Sequence, residues 1–122
     1  MTGYTVDDFE LGDSVQLITL AGDVDRYAAP ALQERIERAL AADTRCVLVQ
    51  LADGTVIDST VLGLLLGTLR QLRGRGCTLR LVCSDPNLVR IFTLTGLDRT
   101  FDIYTRLADA RLACRSDDPA PA

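Results

Sequence analysis

This chain is organised around a short strand that stops at Asp58-Ser59-Thr60 and turns directly into an apolar helix. The stretch from Asp53 to Gly67 reads DGTVIDSTVLGLLLG. It opens on an Asp-Gly turn, takes an apolar step at Val56 and Ile57, and reaches the Asp-Ser-Thr triplet. Asp, Ser and Thr cap helix N-termini because their oxygens accept hydrogen bonds from the unpaired N–H groups of the first turn. The spacing therefore predicts a strand end, a cap and a helix start within a few residues. Hydroxyls then stand at the positive end of the helix dipole.

At about 100° per residue, the run from Val61 to Arg73 puts Leu62, Leu65, Leu66, Leu69 and Leu72 on one broad face, with Val61 beside them. Gly63, Gly67 and Gln71 fall opposite, and Leu64 lies at a border. Burying about six such side chains is worth at most about 9–18 kcal/mol before chain entropy is subtracted, so this face anchors a core. The opposite face is unusual, since each exposed helical Gly costs about 1 kcal/mol relative to Ala. Two arrangements account for it. Either the glycines pack beneath a neighbouring loop, or they leave a bare strip where another protein's backbone can approach the capped hydroxyl.

The rest of the chain alternates strands and helices. Phe9 to Gly12 predicts a first strand and Val15 to Leu20 a second; Ala21 to Tyr27 reads as a loop, because Gly22, Asp23 and Asp25 break the run. By its residues alone this loop is a plain connection. Pro30 suits the first turn of a helix, and Leu32, Ile36, Ala39 and Leu40 recur at helical spacing, with Glu34 and Arg38 in the favourable i, i+4 order. Cys46 to Leu51 is almost wholly apolar, the mark of a central strand covered on both faces. Thr78 to Cys83 predicts a further strand, Asp85-Pro86 the start of a helix that ends at Gly96, and Phe101 to Tyr104 a last strand. Thr105 is placed to cap a final helix reaching about Cys114. The expected fold is an α/β layer structure with a mixed, largely parallel sheet of about four to five strands and about four helices. Residues 1–114 form the domain and 115–122, acidic and rich in Pro and Ala, a disordered tail.

With 122 residues the chain suffices for one domain with one core. Its 13 basic residues against 17 acidic ones give a net charge of −4, without a basic cluster, so nucleic acid is not an expected partner. No apolar run approaches the ~20 residues of a membrane helix, and MTGYTVDDFE lacks the basic start and apolar centre of a signal peptide. The expected setting is cytoplasmic, without insertion into a membrane. There is no His and no C-x-x-C pair among Cys46, Cys77, Cys83 and Cys114, which argues against a zinc site and removes the usual base for a Ser or Cys nucleophile. No metal, no cofactor and no enzymatic activity are expected. Disulfides are not expected in a reducing compartment, and Cys46 and Cys83 read as small buried hydrophobes.

Three segments in this order, Gly22-Asp23-Val24-Asp25, Ile57-Asp58-Ser59-Thr60 with Leu62-Gly63, and Phe92-Thr93-Leu94-Thr95-Gly96-Leu97, resemble the STAS-domain anti-sigma factor antagonists over roughly residues 5 to 113. The resemblance implies binding to an anti-sigma factor that is also a Ser/Thr kinase, with release of a sigma factor. It further implies inactivation by phosphorylation at the start of the central helix and restoration by a phosphatase. Carried over by motif position, the acceptor is Ser59, with Thr60 the second choice. Asp58 shapes its surroundings, and Asp23, Asp25, Arg26 and Tyr27 belong to a docking loop beside Gly63 and Gly67. One position departs from the family pattern, in which Gly follows the hydroxyl pair: here it is Val61, a stiff residue expected to add bulk where a kinase closes over the hydroxyl. A second reading of the same fold resembles a constitutive accessory subunit of a membrane transport complex, in which Ser59 is only a helix cap.

Overall fold

The structure is a computed structural model and describes residues 3–116. Its elements are β1 (Tyr4–Gly12), β2 (Val15–Val24), α1 (Ala29–Ala41), β3 (Cys46–Leu51), β4 (Val56–Ile57), α2 (Ser59–Gly74), β5 (Thr78–Cys83), α3 (Pro86–Leu94), β6 (Asp102–Tyr104) and α4 (Leu107–Ser116). The sheet order is β1-β2-β3-β5-β6, with β4 pairing the end of β2 beyond β3. Among the described residues only the β1–β2 pair is antiparallel; β2–β3, β3–β5, β5–β6 and β2–β4 are parallel. This is the expected mixed, largely parallel α/β sheet with four helices, built on six strands where four to five were expected.

Side-chain alternation divides the core in two. On one face Ile18, Leu20, Val47, Val49, Leu51, Leu79 and Leu81 meet the apolar sides of α1, α2 and α3. On the other, Val15, Leu17, Cys46, Leu48 and Val82 lie under α4 through Ala110 and Cys114. Coverage from both sides is why β3 carries so little polarity. Among the described helices α2 contributes most, burying Val61, Leu65, Thr68, Leu69 and Leu72. Leu62, Leu64 and Leu66 pack partly buried at its flanks. Thr68 fits this buried face because its hydroxyl donates to the Leu64 carbonyl at 2.7 Å.

Several boundaries differ from the sequence reading, each for a tertiary reason. The first strand begins at Tyr4 instead of Phe9, because pairing with β2 supplies its backbone bonds despite the strand-averse Asp7-Asp8 pair. Asp8 stays in place by accepting from Arg35 on α1. Strand β2 runs on through Ala21-Gly22-Asp23 to Val24, so the first part of the expected loop is strand. Gly22 holds a φ of +82°, and a Cβ there would strike the Gly3 carbonyl, whose oxygen accepts from Asp23 N–H at 3.0 Å. Helix α4 starts at Leu107, two residues beyond the proposed Thr105 cap, and continues through Arg115 and Ser116. The tail boundary at 115 therefore falls inside a helix, and the disorder expected for 117–122 lies outside the described residues.

The cysteines require the largest correction. Cys46 at the start of β3 and Cys114 near the end of α4 form a disulfide, with Cα atoms 6.1 Å apart. Cys46 is buried as expected, but as half of a covalent link between the sheet and α4. Composition carries no sign of this, since the partners are 68 residues apart and only the packing of α4 brings them together. Cys83 is a buried free thiol, and burial pushes its pKa up, keeping it protonated and inert.

Candidate functional site

Strands β2, β3 and β5 run parallel, so their C-terminal ends gather the segments that follow them at one end of the sheet. Two carboxylates organise that end. Asp58 adopts extended backbone (φ −110°, ψ −178°) as the N-cap of α2, and its Oδ1 accepts from Val61 N–H at 3.0 Å. Its Oδ2 accepts from Arg26 N–H, also at 3.0 Å. One side chain thus caps α2 and fastens the Asp25–Tyr27 turn to it. Within that turn Asp25 Oδ1 accepts from Tyr27 N–H at 2.9 Å. The Arg26 guanidinium lies 5.0 Å from the Tyr27 ring centroid and donates to its hydroxyl at 3.0 Å. Tyr27 stands out with 72% of its surface exposed.

Ser59 and Thr60 are exposed on the first turn of α2, directly after the cap. Gly63 and Gly67 follow on the same helix, and a Cβ built on either meets nothing within 4 Å. Among the described residues neither packs beneath a loop, and the strip is open. Asp25, Arg26 and Tyr27 are brought beside the helix start through Asp58, while Asp23 pairs with Val56 in the β2–β4 ladder. Val61 behaves differently from its sequence expectation. Its side chain is fully buried in the core, so it adds no bulk over the hydroxyls; only its N–H takes part in the cap.

The second carboxylate, Asp85, was legible only as a helix cap. Its Oδ1 accepts from Asn87 N–H at 2.9 Å, and its Oδ2 accepts from Gly54 N–H at 2.8 Å, tying α3 to the loop before β4. The Gly54 bond, then the Asn87 bond, holds its carboxyl below the ordinary aspartate pKa. A depressed folded-state pKa gives stability that is present above the unfolded value and lost as pH falls through the folded one. Thermal unfolding of wild type and Asp85→Ala should therefore diverge most near neutral pH. The gap should narrow as pH falls below about 4 and close only below the depressed folded-state value, and a gap independent of pH would remove the charge from this account. Also missed were Val56 and Ile91, exposed apolar residues lining a shallow groove of about 220 Å³ beside Ile57 and Leu88. A two-residue strand has no periodicity from which to read its exposed side.

Among the described residues no group of three or more His, Cys, Asp or Glu side chains could hold a metal ion, and no helix is long and apolar enough to cross a membrane. The sequence matches the STAS domain family over residues 8–110. It is 35% identical over 89 residues to the anti-sigma-B factor antagonist of Bacillus subtilis (strain 168), covering 73% of this chain and 81% of that one. The chain belongs to the STAS-domain anti-sigma factor antagonist family. Among solved structures, this STAS domain superposes on an anti-sigma factor antagonist from Mycobacterium paratuberculosis with a TM-score of 0.80 and 29% identity, covering 93% and 95% of the two chains. The Bacillus cell fate determinant SpoIIAA in the phosphorylated form shares the fold at 18% identity, with a TM-score of 0.68 and coverage of 89% and 99%. The family match ends at residue 110, before Cys114.

Proposed function

We propose that this chain binds an anti-sigma factor that is a Ser/Thr kinase, so freeing a sigma factor, and is switched off by phosphorylation of Ser59. Thr60 is the second-choice acceptor, and a phosphatase reverses the modification. The observation that carries this reading is the constellation at the start of α2. Two exposed hydroxyls follow a cap that also fixes the Asp25–Tyr27 turn, next to an open strip at Gly63 and Gly67. A flat, rigid strip lets a partner backbone approach, and an exposed tyrosine beside it is the kind of side chain that anchors interfaces. The domain unit is proposed as residues 1–114, with its last helix α4 running on to Ser116. Its setting is proposed as cytoplasmic, where kinase and ATP meet, and its role as binding rather than catalysis.

The cognate kinase with ATP should add one phosphate, mapping to Ser59 and lost in Ser59→Ala. Labelling that survives in Ser59→Ala and vanishes in Thr60→Ala would move the acceptor by one residue; labelling of neither would overturn the switch. Gly67→Arg tests the docking face in parallel. It should weaken kinase binding while stability holds or rises by up to about 1 kcal/mol, since a helical Gly is replaced in open space. Unchanged binding would place the interface elsewhere.

A further inference from the structure

The face of the sheet under α4 carries chemistry that the switch at Ser59 does not use. Arg80 on β5 is buried, yet its Nη1 lies 3.6 Å from Cys46 Sγ and 3.7 Å from Cys114 Sγ. A surface pocket of about 240 Å³ opens beside Cys114, lined by Asp13, Arg45 and Arg115. Cys46 is the more deeply buried residue, 2% exposed against 8% for Cys114. Three features thus converge: a cysteine pair already within bonding reach, a buried cation aimed at both sulfurs, and an opening with two arginines that leads to one of them.

We propose that Cys114 and Cys46 form a reversible thiol–disulfide exchange site for acidic low-molecular-weight disulfides, with Cys114 the attacking sulfur and Cys46 the resolving one. A guanidinium beside the sulfurs stabilises the thiolate, which is the nucleophile in exchange. The Cys114 thiolate attacks the small disulfide RSSR, forming Cys114–S–S–R and releasing RS⁻. The Cys46 thiolate then attacks Cys114 Sγ, forming the Cys46–Cys114 bond and releasing the second RS⁻. Two protein thiols are oxidised to one disulfide, one RSSR is reduced to two RSH, and the two protein protons end on the released thiols. Where thiols are kept reduced, a disulfide of this kind is characteristically transient and redox-sensing, and small thiols reverse the same steps. The site lies at the N-terminal end of β3, away from the C-terminal strand ends that gather the Asp58 cap, so it stands independently of the phosphorylation reading.

The test uses the whole chain carrying Cys77→Ser, reduced, desalted and then exposed to glutathione disulfide at neutral pH, followed by intact mass and non-reducing peptide mapping. The Cys46–Cys114 link should reform without a lasting adduct. With Cys46→Ser added, one glutathionyl group should remain on Cys114. Arg80→Met should slow adduct formation roughly threefold or more, the gain in thiolate being partly offset by its lower nucleophilicity. The exposed Arg70→Met should not slow it. Because Arg80→Met removes a buried charge and can disturb folding, the adduct's position and rate in the Arg80 background decide the matter. Modification of Cys114 no faster than in the urea-unfolded chain would overturn the proposal. So would a faster adduct on Cys46 in Cys114→Ser than on Cys114 in Cys46→Ser.

Discussion

Phosphorylated on Ser59, the protein should keep its fold and melting temperature while losing about a hundredfold or more of its affinity for the anti-sigma kinase. The phosphate adds a charge of about −1.5 to −2 at the start of α2. The helix dipole there favours an anion by roughly 0.3–2 kcal/mol, and the neighbouring Asp58 carboxylate opposes it through a term that surface water screens. These contributions are small and of opposite sign. Ser59 is exposed, so no packed side chain must move to admit the new group. At the proposed partner interface the dianion would shed water against a surface that accepts a hydroxyl in the unmodified state, which costs several kcal/mol when the charge finds no partner. The modification should act by exclusion, not by refolding. Amide hydrogen exchange and partner titration on a phosphorylated sample check both halves. Widespread loss of protection would reject exclusion, as would unchanged affinity. Ser59→Asp carries one charge and less volume, so the phosphorylated protein itself is the deciding sample.

What the sequence disclosed, and what it hid, follows from the range of the interactions involved. The cap at Asp58, the leucine face of α2 and the first-turn prolines of α1 and α3 are local signals, read from residues within a turn of each other. The glycine strip was visible as composition, but its exposure was undecided until the neighbouring elements were placed. Strand β1 and the end of β2 were obscured because Asp7-Asp8 and Gly22-Asp23 oppose strand propensity locally, while cross-strand bonds override it. The same limit hid Asp58 reaching Arg26, 32 residues away, and Cys46 reaching Cys114. Docking-loop residues were named from resemblance; that Asp58 is what fastens them to α2 required coordinates.

Val61→Gly, which restores the residue the family pattern carries after the hydroxyl pair, should destabilise the protein by about 2–4 kcal/mol and leave kinase labelling nearly unchanged. Val61 is fully buried among the core residues of α2. Removing a buried valine side chain forfeits about 1.5–3 kcal/mol of transfer free energy. A helical Gly adds up to about 1 kcal/mol, somewhat less in a first turn. A shift in melting temperature on the order of 10 °C follows for a domain of this size. Ser59 and Thr60 are exposed while Val61 is buried, and the cap bond from Asp58 reaches the backbone N–H of residue 61, which glycine retains. The labelling rate at a temperature where both proteins are folded should therefore agree within about threefold, less than 1 kcal/mol of barrier. A rate many times higher in Val61→Gly would show that side-chain bulk, or helix-start stiffness, does gate the kinase despite burial. Equal melting temperatures would mean that the valine contributes nothing to the core it fills.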